Sequence, residues 1–598
     1  MKSRIISFTI AIILCNGTMV NAQLFTRVTA TSNPIVTDPV QTFYNGASWI
    51  DYDNDGRLDL FVTRSGFYHN DGGGNFSKIT SSGLGLTTGI GNTWADVDND
   101  GDIDCVQSGG NAGGTKLFLN NGNGTFTQNT SGVWAVPTAL RGWGSAFGDY
   151  NNDGLVDLFI AAPVGFAAIT DSCKFLINSG NGNFTRVDST IITDTLDAFT
   201  VPTWSDYDND GDVDLFIGSG RVNGSLSLDY LFDNNFMQGG PALFSRINSS
   251  PLGTDLHDGQ VWNWIDFDND GDLDGYLTNY TGTAPSTGYQ NEMYRNDNNT
   301  FTKLGFADVG EIVTDLGVSL SSTWGDFDND GDLDCIVTNE GPQNNVYYQS
   351  NIRQGSAVFT KVLNEPFVTV SGNHWCATSG DYDNDGDLDL FISGASDKGL
   401  FENNSTSTDY INIKLVGVTS NKSAVGAKVR VYANGFWQMR EISAQNTFNG
   451  MNMLNAHFGF GPTGIVALTI DTIQIEWPSG AVDVCTNVPS NTLYIATEGQ
   501  CLTPTSLLAV ENKDYFSLSI FPNPASEILT FTYKLPHAEI VHLEVFNIEG
   551  KIVHSEKLLH GISGSNSFSL DVKKMIDGFY TMKLSSGKHI SHGKFVKN

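Results

Sequence analysis

The chain has 598 residues, 40% of them hydrophobic and 16% charged, which is enough apolar material for several buried cores and excludes a wholly disordered polypeptide. Its formal net charge is −34, and 32 of the 66 acidic residues fall within seven short repeated segments, so the charge is local and ligand-like rather than a solubilising tail. Such an acidic surface repels phosphate backbones, and nucleic acid is not expected as a partner.

The amino terminus reads as an export signal over residues 1–22. Lys2 and Arg4 precede an apolar run from Ile5 to Leu14, and Val20-Asn21-Ala22 offers a small-residue cleavage site before Gln23. The run is too short to span a bilayer, and no later segment reads as a transmembrane helix. The mature chain is therefore expected to be secreted, extracellular or held at the outer-membrane cell surface.

Next comes a repeat. Nonapeptides of the form Asp-x-(Asp/Asn)-x-Asp-Gly-x-x-Asp begin at Asp51, Asp96, Asp149, Asp206, Asp266, Asp326 and Asp381, with steps of 45, 53, 57, 60, 60 and 55 residues. A self-similar period of that size signals an array of supersecondary units. An aromatic stands two residues ahead in six copies (Trp49, Trp94, Phe147, Trp204, Trp264 and Trp324), and the seventh has Ser379 there. Apolar β runs and an Asn-Gly turn follow, as in Leu117-Phe118-Leu119-Asn120-Asn121-Gly122, and helical periodicity is almost absent. These units predict an all-β fold whose first element is a seven-bladed β-propeller. The seventh unit lacks its last strand, and Phe25-Thr26-Arg27-Val28 supplies a matching one before the first nonapeptide, so the ring is expected to close through its amino terminus.

The chemistry of the nonapeptide is that of a calcium loop. Side chains at positions 1, 3 and 5 converge, Gly at 6 permits the sharp turn, position 7 lends its carbonyl and Asp at 9 returns from the next strand. Two carboxylates about 5 Å apart repel by roughly 3 kcal/mol at an effective dielectric near 20, so a loop of four is not expected to stay ordered without a cation. The candidate ligands are Asp51, Asp53, Asp55 and Asp59 in the first loop and Asp96, Asp98, Asp100 and Asp104 in the second. The third offers Asp149, Asn151, Asp153 and Asp157, with one carboxylate fewer, and should bind most weakly. Asp206, Asp208, Asp210 and Asp214 serve the fourth, and Asp266, Asp268, Asp270 and Asp274 the fifth. The sixth has Asp326, Asp328, Asp330 and Asp334, and the seventh Asp381, Asp383, Asp385 and Asp389, giving up to seven Ca²⁺ sites. Acids at position 7 (Asp102, Asp212, Asp272, Asp332 and Asp387) are expected in solvent, and Arg57 at that position in the first loop does not remove the carbonyl.

Over residues 23–408 these features resemble the integrin-α-like FG-GAP or VCBS repeat family. The resemblance implies a propeller whose metal loops join the inner two strands of each blade. Aromatics outside the repeat pattern, Trp134, Trp143, Trp262 and Trp375, together with Arg141, His257 and His374, fall in blade connections. In that family these would open on the face opposite the loops, and a ligand site is expected there.

Residues 409–500 change pattern. Val425-Gly426-Ala427-Lys428-Val429, Met439-Arg440-Glu441-Ile442, His457-Phe458-Gly459-Phe460-Gly461 and Glu476-Trp477-Pro478-Ser479-Gly480 resemble the ASPIC/UnbV domain, here a small β domain, although Phe448 to Ala456 departs from the usual segment. His457 has no nucleophile or acid near it in sequence and reads as structural. Cys485 and Cys501 flank one short β-rich stretch and are the best disulfide candidates, while Cys105 and Cys335 read as small buried residues.

After a linker over 501–515, residues 516–598 carry nine Lys against seven acids and six of the ten histidines. Phe521-Pro522-Asn523-Pro524-Ala525, Val545-Phe546-Asn547-Ile548-Glu549-Gly550-Lys551, Gly578-Phe579-Tyr580 and the ending Gly593-Lys594-Phe595-Val596-Lys597 resemble a type IX secretion sorting domain, which implies a C-terminal β-sandwich and the type IX machinery as a partner. The expected function is that of a secreted or cell-surface calcium-binding scaffold for adhesion or for binding an extracellular glycan or protein. No catalytic constellation is visible. The alternative is a polysaccharide lyase or hydrolase with its site on the propeller axis, which His257 or His374 in hydrogen-bond reach of an acid or tyrosine in one pocket would favour.

Overall fold

A computed structural model of the chain describes residues 23–598 except 86–88, 165–170, 222–224, 240–242, 250, 281–288, 354–357, 396, 406–408, 462–467, 505–518, 536–538, 548–550, 562–563 and 587–588. The export signal and most of the linker lie outside the described residues. Everything described is built from β-strands with a few single-turn helices.

From the first nonapeptide to Asn403 the strands pair into seven four-stranded antiparallel sheets. Within each, sequence order equals spatial order, apart from the seventh. The innermost strands are Ala47–Ile50, Gly91–Ala95, Ser145–Gly148, Phe199–Ser205, Gly259–Ile265, Ser319–Gly325 and His374–Gly380. Each touches the next, and His374–Gly380 touches both Ser319–Gly325 and Ala47–Ile50, so the sheets follow one another around a ring in a propeller-like arrangement. Inner strands are buried on both faces, which explains why they read as unbroken runs of small, apolar and hydroxyl residues. Outermost strands such as Phe126–Gln128 bury only their first residue, the Phe of the trailing repeat element.

The seventh sheet closes through the amino terminus. Phe25–Arg27 pairs antiparallel with Gly399–Asn403, placing Phe25 opposite Asn403. Both carboxylate oxygens of Glu365 accept from this strand, from Leu24 N at 2.8 Å and Phe25 N at 2.9 Å. Phe25 is fully buried, with its ring 5.3 Å from Phe367, 5.8 Å from Phe327 and 6.4 Å from Tyr347. Phe25→Ala is expected to cost about 3–5 kcal/mol in urea unfolding, because it both empties this pocket and frees the closing strand.

Residues 410–504 form two four-stranded sheets over one core that includes Ile411, Val429, Phe458, Ile473 and Trp477. Tyr410–Val416 runs parallel to Thr492–Thr497, and every other pairing in the two sheets is antiparallel. This unit sits on the ring as a cap, on the side of the acidic loops. Its stretch Gln445–Met453 enters the axis, where Asn263 Nδ2 donates to Asn446 O at 2.6 Å, Asn92 N to Asn449 O at 3.0 Å, and Thr378 Oγ1 to Met451 O at 2.7 Å. Phe448 N donates to Ser321 Oγ at 3.0 Å and Met451 N to Ala47 O at 3.2 Å. The departure from the family pattern noted over Phe448–Ala456 falls largely on this insertion. Backbones meet so closely that a Cβ on Gly46 would lie 1.6 Å from Asn449 O, and one on Gly450 would lie 2.1 Å from Ala47 O. From the far end Tyr44 closes on the same stretch, its ring 5.8 Å from Phe448, 5.7 Å from Trp143 and 5.4 Å from Trp375. The axis is filled.

The tail packs a three-stranded sheet (Ser519–Phe521, Ile528–Leu535, Gly564–Asp571) on a four-stranded one (Ile552–Gly561, Glu539–Asn547, Gly578–Ser586, His589–Lys597). Leu529 and Phe531 from one sheet share a core with Val541, Leu543, Met582 and Leu584 from the other, which makes it a sandwich. The cap's Cys485 is buried and Cys501 exposed, and both are thiols here. Cys501 lies beside Cys485, its Sγ 3.5 Å from Val484 O, and burial, with the nearby Cys501 thiol, pushes the Cys485 thiol up to about 11. Peptide mapping of the secreted protein without reductant is expected to recover these two cysteines as one cross-linked peptide.

Candidate metal centres

Each nonapeptide forms the hairpin between the first and second strands of its sheet. The turn is made by two residues with positive φ: the Asn at position 4 (52–60° from Asn54 to Asn384) and the Gly at position 6 (83–100°). Backbone N–H groups of the turn then point at the first carboxylate, as when Asp100 N and Gly101 N donate to the two oxygens of Asp96 at 3.1 and 2.7 Å. Asp at position 9 is at most 1% exposed in every copy. One of its oxygens accepts from the third strand, at Asn70 N, Asn120 N, Asn178 N, Asn234 N, Asn296 N, Ser350 N and Asn403 N, all at 2.7–2.8 Å.

Acids of the first, second and fourth hairpins converge. Oxygens of Asp51, Asp53 and Asp55 come within 4.8 Å of one another, as do those of Asp96, Asp98 and Asp104 and of Asp206, Asp208 and Asp210. Several buried oxygens have no hydrogen-bond partner: Oδ1 of Asp51, Asp98, Asp266, Asp268, Asp326 and Asp381, and Oδ2 of Asp214. Unfilled buried lone pairs on clustered carboxylates fit a hard cation, and the donor set is the all-oxygen one that calcium takes. In the third loop Asn151 Nδ2 instead donates to Asp153 Oδ2 at 3.0 Å.

Burial, reinforced by the neighbouring carboxylates, raises many of the loop acids. Asp96 is pushed up to about 6, Asp149, Asp208 and Asp266 to about 7, and Asp274 to about 10, with Asp104, Asp326, Asp334, Asp381 and Asp389 well above the usual range. A carboxyl whose folded pKa exceeds its unfolded value stabilises the fold while protonated, and that contribution fades as pH rises through the folded pKa. Stripped of metal, the protein is therefore expected to lose stability from about pH 4 up to about pH 10, whereas in excess calcium the slope should flatten or reverse. Melting temperatures at pH 5 and 7.5, with chelator and with calcium, check the sign.

Two recurrent asparagines, at position 4 in all seven copies and on strand three in all but the sixth, which has Ser350, were not singled out by sequence. The position-4 amide reaches the following loop: Asn54 Nδ2 donates to Gly101 O at 3.1 Å, Asn99 to Gly154 O at 2.8 Å, Asn152 to Gly211 O at 2.6 Å, and Asn384 to Gly56 O at 3.4 Å, which carries the chain of contacts from the last loop back to the first. The strand-three Asn reaches backwards, as Asn120 Nδ2 to Tyr52 O at 2.8 Å and Asn70 Nδ2 to Tyr382 O at 2.7 Å. Recurrence in copy after copy was the available signal; it reads as turn chemistry until the neighbouring sheet is in place.

Two expectations are corrected. Position-7 acids are not uniformly solvated: Asp212, Asp332 and Asp387 are buried, and Asp212 and Asp332 accept from Met237 N and Arg353 N at 2.9 Å because the turn between strands three and four folds over them. Trp134, Trp143, Trp262 and Trp375 are each at most 6% exposed and pack between sheets or under Tyr44, so they offer no stacking platform. His374 is buried as well. His257 does meet acids, with Nδ1 2.6 Å from Asp229 and Nε2 2.6 Å from Glu292, and Lys303 Nζ lies 2.7 Å from Glu292. Burial alone would lower its pKa, but the two carboxylates win and push it up to about 10. With both nitrogens engaged it is a fixed cation in an ion-pair network, with no lone pair to act as a base.

The cap covers the loops. Lys414 Nζ lies 2.9 Å from Asp51 Oδ2, and the buried Lys428 Nζ lies 3.1 Å from Asp206 Oδ2 and 2.7 Å from Asn209 Oδ1. Asp96 N donates to Ser423 Oγ at 2.8 Å, Arg430 Nη1 to Gly271 O at 3.1 Å, and Gly459 N to Asp326 Oδ2 at 2.9 Å. His457 Nε2 sits 2.9 Å from Gly386 O, and burial lowers it to about 4, so its expected structural role is to bond the seventh loop as a neutral donor.

Ring-forming four-stranded sheets with acidic hairpins define a propeller-type repeat protein. Sequence comparison agrees in detail: the FG-GAP-like repeat family matches residues 51–107, 96–160, 266–337 and 326–392, the family described as ASPIC and UnbV matches 417–503, and the secretion system C-terminal sorting domain matches 519–598. The chain carries FG-GAP-like repeats, an ASPIC/UnbV domain and a type IX secretion sorting domain, and the last directs it to the cell surface or beyond. Its fourth sheet, outside the repeat matches, has the same strand order as its neighbours. No curated protein matches the chain. Among solved structures, the PorZ surface component of the type IX secretion system of Porphyromonas gingivalis is 10% identical over 92% of this chain and 81% of that one, with a TM-score of 0.20. An exo-β-1,3-galactanase from Phanerochaete chrysosporium is 11% identical over 76% of this chain and 95% of that one, with a TM-score of 0.27. Neither score bears on function. Among the described residues no helix is long and apolar enough to cross a membrane.

Proposed function

We propose that the chain is an exported calcium-binding scaffold: a seven-bladed ring over residues 23–408, a cap over 409–500, a linker over 501–515 and a sorting domain over 516–598. Calcium would be held by the acids at positions 1, 3, 5 and 9 of each hairpin, with Asn151 weakening the third. When bound, it supplies the positive charge that lets buried carboxylates sit side by side. The observation that carries this reading is the set of buried, partnerless carboxylate oxygens at Asp51, Asp98, Asp214, Asp266, Asp268, Asp326 and Asp381.

Because the cap's own side chains contact the loops, the cations would be structural rather than ligand-bridging. An extracellular glycan or protein would then engage the ring's opposite face or rim, and the chain would act by binding. His257 does meet Asp229 and Glu292, but both of its ring nitrogens are engaged, and Phe448 and Tyr44 occupy the axis, so an axial lyase or hydrolase site is the less favoured reading. A glycan array probed with the full chain, with and without calcium, is the test. Saturable binding without product is expected, whereas turnover of any array glycan would overturn the scaffold reading.

A further inference from the structure

The first loop differs from the other six in two ways that act in the same direction. Its position 7 is Arg57, where the others have Asp102, Leu155, Asp212, Asp272, Asp332 and Asp387. That side chain folds back: its guanidinium pairs with Asp55 Oδ2, while Nε donates to Asn70 O at 2.8 Å. One hard oxygen donor is thereby taken up by an internal counter-charge.

In exchange the loop gains a nitrogen. The residue preceding Asn70 on the third strand is His69, and its counterparts are Leu119, Ile177, Asp233, Arg295, Gln349 and Glu402. Here the imidazole turns into the hairpin, with Nδ1 3.1 Å from Asp59 Oδ1 and 3.6 Å from Asp53 Oδ2. The three ligand-type atoms of Asp53, Asp59 and His69 lie within 4.8 Å of one another. Asp51 Oδ1, buried in the same loop, has no hydrogen-bond partner, and Lys414 holds only the other oxygen. Behind the ring, Asp71 Oδ1 stands 3.7 Å from His69 Nε2, the carboxylate–imidazole pairing that orients metal-binding histidines.

We propose that this loop is a site for a borderline divalent cation of the zinc class, bound by His69 Nδ1 with the carboxylates of Asp51, Asp53 and Asp59. The inference rests on reading the hairpins as cation sites. Calcium takes 6–8 oxygens and gains nothing from imidazole, whereas three carboxylates and one imidazole make a four-donor set of the kind zinc uses. The strand-three position thus sets which metal each hairpin prefers.

The full chain, stripped by chelator and dialysed against excess calcium with stoichiometric zinc, is assayed for both metals by mass spectrometry. Wild type is expected to retain one zinc per chain. His69→Gln, which installs the residue found in the sixth blade, and His69→Leu, matching the second blade, should both lose it, and each should bind one more calcium. Both side chains occur at this position in other blades, so folding should survive, and a melting curve checks that. Asp71→Asn should weaken zinc about 10–100-fold, as loss of an orienting partner does. Asp208→Asn in the fourth loop should leave zinc untouched. Cobalt(II) in place of zinc should give visible absorption bands only when His69 is present. Zinc retained equally by His69→Leu, or absent from wild type while calcium still binds, would overturn the proposal. Failure of both metals to bind would overturn the reading of all seven hairpins.

Discussion

Chelation of the calcium-loaded protein is expected to lower its melting temperature by about 8 °C or more. A site filled at a hundred times its dissociation constant stabilises the folded state by about 2.7 kcal/mol, so three such sites give about 8 kcal/mol. Ring and cap together, residues 23–504, unfold with an entropy of roughly 1 kcal/mol/K on the usual per-residue value of about 2.1 cal/mol/K, which converts that loss into about 8 °C. Six filled sites would double it. The total stability of a folded domain is only about 5–15 kcal/mol, so complete removal is expected to leave the ring near or below its folding threshold. Extracellular calcium modules bind at roughly 10⁻⁴ to 10⁻³ M, and the dependence should fall in that range of added calcium. A melting temperature indifferent to chelator would mean that the buried acids are held by the cap alone.

Phe448→Ala is the single substitution expected to do most damage to the association of cap and ring. The side chain is fully buried at the axis, in a cluster that includes Trp143, Leu320, Trp375 and Met453. Truncation of a buried Phe costs about 3–5 kcal/mol. The consequence goes beyond the number, because the residue belongs to the cap yet its cavity is made by the ring. Calorimetry of the wild type is expected to give one transition for residues 23–504 and a separate one for the sorting domain. Phe448→Ala should lower the first by about 3–5 °C, with ring and cap still melting together. A new low-temperature step assignable to the cap alone, with the ring unchanged, would show that the inserted stretch adds little to the ring.

Much of this was legible from residues. The acidic nonapeptides placed seven hairpins, and the missing last strand of the seventh unit pointed to Phe25–Arg27, because a local β pattern survives whatever packs around it. What sequence could not supply was everything set by contact between distant segments. Phe448 to Met451 look like an ordinary loop, and only Gly46, just before one inner strand, and Gly91, at the start of another, hint that another backbone must pass there. Trp143 and Trp375 looked like ligand platforms because their positions broke the repeat; they break it because they fill the axis beneath Tyr44. Asp212 and Asp332 looked solvated because nothing local says that a turn more than twenty residues away will fold over them.

The most direct measurement is the calcium content of the full-length secreted chain after equilibrium dialysis against millimolar calcium, counted per polypeptide by elemental mass spectrometry. Clustered buried carboxylates that need a cation in each hairpin should yield about five to seven equivalents, falling in proportion when ninth-position acids are replaced one at a time, as in Asp214→Asn or Asp389→Asn. One equivalent or none, with the ring still folded, would contradict the claim that divalent ions hold it together.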